Sequence, residues 1–112
     1  MKYLISFPGP AMQLSPEEFE AAGRDSRAVI LEAKDAGVYV FGGGIDEEVP
    51  PVMVAADGTV TEETYPQTRE FNGGFTVLEL PSRADAVEWA RKIAVGCRCS
   101  QELRVFMFDP IS

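Results

Sequence analysis

Residues 73–93 read GGFTVLELPSRADAVEWARKI: a double glycine, a short β-prone run, and a helix carrying its own start signal. Within this stretch Phe75 and Val77 alternate against Leu78 and Leu80, and Pro81 closes the strand because it has no amide to donate. Ser82 is placed to cap the following helix, with Asp85 at the reciprocal position three residues on. Ala86, Trp89, Ala90, Ile93 and Cys97 then recur at helical spacing and define one buried stripe. A strand that runs straight into a helix is half of an α+β unit. The remainder of the chain decides whether the other half exists.

It does, upstream. KYLISF (2–7) is β-rich and stops at PGP (8–10). In SPEEFEAAGRDSRAVILEAKDAG (15–37), Ser15 is a natural N-cap, Pro16 suits the first helical position, and Glu18 completes a capping box. Phe19, Ala22, Ser26, Val29, Ala33 and Ala36 form the apolar stripe, and Gly37 ends the helix. Gly23 interrupts its middle at a cost of about 1 kcal/mol relative to alanine, for which close packing is the expected reason. VYVFGGG (38–44) reads as a buried strand that bends or bulges at its three glycines. PPVMVAADGTVTEET (50–64) reads as a hairpin about Asp57 and Gly58, and LRVFMF (103–108) as the last strand. The order is βαββαβ, so the expected fold class is α+β, a ferredoxin-like sandwich forming one domain over residues 1–112.

Two helices cover one face of such a sheet, and the other face should then be polar. Here it is not: Tyr39, Phe41, Phe75, Val77, Leu103, Val105, Met107, Phe106 and Phe108 leave apolar residues at both alternations, with Arg104 the exception. Face-to-face packing of two copies resolves the conflict, so a homodimer is expected.

Totals narrow the function. The net charge of −8, from 18 acidic and 10 basic residues, opposes binding to nucleic acid or to an anionic membrane. No stretch approaches a membrane span and the opening residues do not form a secretory signal, so a soluble cytoplasmic protein is expected. Cys97 and Cys99 stand too close along the chain for a mutual disulfide, and with no histidine they are too few for a zinc site, so they read as small structural residues. Asp46, Glu47 and Glu48 read as a solvated acidic loop. No metal or cofactor is expected.

Several motifs resemble the YCII-related family, and within it the branch named for its DGPF motif: MKYLISF, LSPEEF, AGVYVFGGG and above all residues 73–93. The branch's pattern VTDGPFAETKE is similar, without gaps, to VTEETYPQTRE (60–70). Thr61, Thr68 and Glu70 match outright, while Glu62, Glu63, Thr64 and Tyr65 stand where the naming motif would be. The resemblance implies a dimeric α+β barrel. It also implies, through the branch's association with sigma-factor genes, a protein partner linked to transcription regulation. The His and Asp pair proposed to act in some relatives has no counterpart here, because the chain lacks histidine.

Two functional readings follow. The first is a binding or regulatory module holding a small, largely apolar molecule in the intersubunit cleft. Its ligand-binding residues are Tyr65, Arg69 and Glu62 at the mouth, with Tyr3 and Tyr39 on neighbouring strands donating hydroxyls. The alternative is a cofactor-free lyase or isomerase with Glu62 as base, and Tyr65 and Arg69 stabilising developing negative charge.

Overall fold

A computed structural model describes all 112 residues. The first strand, β1 (Lys2–Phe7), is followed by α1 (Pro16–Asp35) and β2 (Tyr39–Gly44). A short hairpin, β3 (Met53–Val54) and β4 (Val60–Thr61), precedes β5 (Gly74–Glu79), α2 (Arg83–Cys97) and β6 (Glu102–Val105). The main sheet has the order β2-β5-β1-β6, every pair antiparallel, with both helices on one face. This is the ferredoxin-like α+β arrangement. The hairpin stands apart as a two-stranded sheet of its own.

Local chemistry explains the boundaries. The Ser15 hydroxyl accepts the Glu18 amide and the Glu18 carboxylate accepts the Ser15 amide, so both halves of the capping box form. Ser82 accepts the Asp85 amide, but that second cap is one-sided. Gly37 and Gly73 lie at positive φ, where a side chain is strained. At Gly73 there is no room either: a Cβ would sit 1.9 Å from the Phe7 carbonyl oxygen.

Tyr3, Ile5, Leu78 and Leu80 point toward the helices and meet Ala33, Ala86, Ala90, Ile93 and Cys97. The helical contribution is mostly alanine, which lets the helices lie close to the sheet and to each other. The helices lie close at Gly96, where a Cβ would come within 3.1 Å of the Ser26 backbone. Gly23, by contrast, faces open space, so its expected packing role belongs to Gly96 instead. Phe19 also departs from its stripe and lies exposed at the rim.

The opposite face of the sheet is bare. Leu4, Phe41, Phe75 and Val77 lie on it, joined at one end by Phe106. A bulge between Tyr39 and Phe41 shifts the register there, sending Tyr39 to the helix side and Phe41, 62% exposed, to the bare side. The sequence places this irregularity at the glycines. It falls at Val40 because Tyr39 and Phe41 each find a cross-strand partner only with the extra residue between them.

The molecule is also extended. Its radius of gyration is 15.8 Å, where about 13 Å is usual for a domain of this length. It exposes 8068 Å² of surface, whereas a compact monomer of 12.2 kDa exposes about 6,100 Å².

Two glycine substitutions test this packing by urea unfolding. Gly73→Ala is expected to destabilise by about 3 kcal/mol, from strain plus the clash with Phe7. Gly23→Ala is expected to stabilise by about 0.5–1 kcal/mol, because nothing stands where its methyl group goes.

Candidate functional site

After β2 the chain leaves the main sheet and returns only at β5. The excursion is pinned at its base, where the Ile45 amide donates to the Gly73 carbonyl at 2.9 Å and Asn72 Oδ1 accepts the Gly9 amide at 2.9 Å. Its outer part is the β3–β4 hairpin, whose turn is held by the Ala55 amide on the Thr59 carbonyl and by the Thr59 amide on the Asp57 carboxylate. The Thr59 donors, side chain and backbone, hold the Asp57 carboxyl below its ordinary pKa. The returning segment makes a tight turn at Pro66–Thr68, and the Phe71 ring stacks on Phe75 at 4.9 Å between centroids.

This crossing separates two hollows. One, of about 870 Å³, lies beneath the hairpin arm and is lined by Val49, Pro51, Val54, Tyr65, Arg69 and Phe71 among others. The second, of about 370 Å³, sits on the bare face between the crossing and strands β1 and β6, with Ser6, Gln67, Glu102 and Arg104 in its wall. Glu70, Phe71 and Asn72 belong to both. Arg69 is in none of the chain's ion pairs, so its guanidinium is free to meet an anionic or carbonyl group.

The structure therefore brings Tyr65 and Arg69 to the same hollow. Glu62 is exposed and does not line it; the neighbouring Glu63 does, together with Glu70. Glu62 follows directly on β4, three residues before Tyr65, and is not in the wall that Tyr65 and Arg69 share. Tyr3 is 4% exposed inside the helix-side core, and Tyr39 packs against that core beneath the Lys34 ammonium. Neither hydroxyl reaches the bare face. The two tyrosines are not on adjacent strands either, since Leu78 of β5 pairs with both. Glu63, where the similar motif has glycine, adopts an ordinary negative φ, since Arg98 is the one non-glycine residue in the left-handed region.

The polar wall of the second hollow is not among the candidate residues that the sequence singles out. Arg104 pairs with Glu102 at 3.2 Å, and Ser6 is buried under the crossing. The signal was present: Arg104 is the single charge in LRVFMF, and Ser6 the single hydroxyl on the bare side of β1. What could not be read was that Gln67 and Glu70 fold back over them.

The cysteines offer no reactive centre. Burial, with the neighbouring Cys99 adding to it, pushes the Cys97 thiol up to about 11. Burial also raises Cys99, against the opposing hydrogen bond from Gln101. Both stay protonated near neutral pH and are weak nucleophiles.

Compared with known proteins, the chain matches the family described as the YCII-related domain over residues 1–108. No curated protein matches it. No helix is long and apolar enough to cross a membrane.

Because folding favours the neutral Cys97 thiol, its stabilising effect is complete below the ordinary thiol pKa of about 8.5 and is lost as pH rises through about 11. Unfolding midpoints measured across that range should fall for the wild type and fall less steeply for Cys97→Ala.

Proposed function

We propose that this chain, which belongs to the YCII-related family, works as a single-domain homodimer. Its two bare sheet faces pack together as a dimeric α+β barrel, and the cleft between them binds a small, largely apolar molecule. The observation that carries this reading is the surface excess, about 2,000 Å² beyond a compact monomer, together with the exposure of large apolar side chains such as Phe41, Met107 and Phe108. That amount per chain falls in the range of obligate homodimer interfaces. Leu4, Phe41, Phe75 and Val77 supply the apolar centre of the shared face, and Arg104 and Glu102 lie toward its edge.

At the mouth of the cleft, the 870 Å³ hollow beneath the arm has room for a ligand of metabolite size. Val49, Val54 and Phe71 receive its apolar body, and Tyr65 and Arg69 orient its polar end by a phenol and a forked guanidinium. We place the chain in the DGPF branch on the similarity of residues 60–70. A partner linked to transcription regulation belongs to that placement alone. The binding reading is preferred to a lyase or isomerase because Glu62, the base that reaction would use, lies outside the hollow's lining.

Native mass spectrometry of the purified protein tests both parts. The expected result is a dimer that carries additional small mass, and Arg69→Gln with Tyr65→Phe should lower its occupancy about tenfold while the dimer persists. A monomer would overturn the shared cleft. A dimer with unchanged occupancy in the double variant, or with no added mass at all, would overturn the assignment of the ligand site.

A further inference from the structure

The bare sheet face does not account for the whole surface excess. Four strands about 4.8 Å apart, each roughly 20 Å long, present a footprint of roughly 400 Å². Much of the remaining apolar exposure sits in two appendages. One is the β3–β4 arm, with Val54 67% and Val60 59% exposed; the other is the tail after β6, with Met107 94% and Phe108 85% exposed.

Neither appendage is supported by its own domain. The arm has only two residues in each strand and packs substantially on no other strand or helix. A two-stranded hairpin of this size is marginal in water unless something covers it. The tail is tethered where the Phe106 amide donates to the Lys2 carbonyl and Lys2 Nζ donates to the Ser112 carbonyl. Between tail and sheet it leaves an open groove of about 500 Å³, with Lys2, Val77, Phe106 and Phe108 in its walls.

Their placement is complementary. The arm departs from β2, one edge of the sheet, at the end where Gly44, Gly74 and Phe7 align. The tail departs from β6, the other edge, at the end where Lys2 and Glu79 align. Protrusion and groove therefore occupy diagonally opposite corners of the same face. In a face-to-face dimer, a dyad along the other diagonal superposes each corner on its complement in the second copy. It does so with strands crossing steeply, as in orthogonal sheet packing.

From this we infer that the β3–β4 arm of each subunit inserts into the groove beneath the other subunit's tail, so that two reciprocal clasps hold the sheets together. The inference rests on the dimer proposed above and specifies its orientation. It also gives the ligand hollow a shared wall, since Met53 and Val54 belong both to the arm and to that hollow's lining.

Mixing two weakened variants tests the clasp. An arm variant (Val54→Asp, Val60→Asp) and a tail variant (Met107→Asp, Phe108→Asp) alter only exposed side chains, and circular dichroism checks that each stays folded. Each alone has both clasps damaged, and sedimentation velocity should show its dimer weakened about tenfold or more. An equimolar mixture contains heterodimers in which one clasp carries both changes and the other is wild type. The mixture should therefore dimerise more tightly than either variant alone. No gain on mixing, with both variants weakened, would mean that arm and tail do not meet and would overturn the inference. If Val77→Glu on the sheet face dissociates the dimer but the arm variant does not, the clasp fails and the sheet-to-sheet reading stands. A monomeric wild type removes both.

Discussion

Two helices can shield one face of a four-stranded antiparallel sheet, and everything else in this molecule follows from how the chain treats the other face. On the helix side, Ile5 and Leu78 are completely buried, each contributing about 1.5–3 kcal/mol, and alanines let the helices sit low over them. On the bare side, Phe41, Val77 and Phe106 occupy positions where a monomer would carry lysine, glutamate or threonine. The twelve buried residues are few for a chain of this length, so an intrachain core alone is thin. In the proposed dimer the paired face would add the apolar burial that the chain's own core lacks.

The same constraint shapes the candidate site. Because the bare face is apolar, the polar groups that can orient a ligand come from its edges: Arg104 and Glu102 from the last strand, and Tyr65, Arg69 and Glu70 from the crossing that closes one end. The crossing is held by its own turn at Pro66–Thr68, by the Phe71–Phe75 stack, and by hydrogen bonds from the Ile45 amide to the Gly73 carbonyl and from the Gly9 amide to the Asn72 side chain. That rigid base gives the arm a defined departure angle although its tip makes little contact. Gly73 is where the constraint is tightest, since its missing Cβ is what lets β5 approach β1 at the Phe7 carbonyl.

How much of this was legible in the sequence differs by kind of signal. Most strand and helix positions were, because capping residues and periodicity act locally: Ser15 with Glu18, Ser82, and the Ala86 to Cys97 stripe all behave as their spacing requires. The last strand is an exception: expected over 103–108, it runs from Glu102 to Val105, and Phe106, Met107 and Phe108 belong to the tail. The hairpin about Asp57 and Gly58 was legible for the same reason. Its separation from the main sheet was not, because strand pairing is decided by contacts far apart in sequence. The grouping of the candidate residues was legible only in part. Tyr65 and Arg69 lie in one short segment and point into one hollow. Tyr3 and Tyr39 were misplaced because assigning a face requires the strand register; for Tyr39 the bulge at Val40 resets it, and Tyr3 shares the helix-side face with its partner Leu78. Glu62 and Glu63 are adjacent, and a one-residue difference in a crossing decides which lines the hollow.

If the bare sheet face is an interface, the protein is a dimer in solution. Sedimentation equilibrium of the wild-type protein over a wide concentration range tests it most directly, because it reads mass without regard to shape. Paired sheet faces give twice the 12.2 kDa chain mass, persisting well below micromolar concentration. A mass of one chain at every concentration would contradict it.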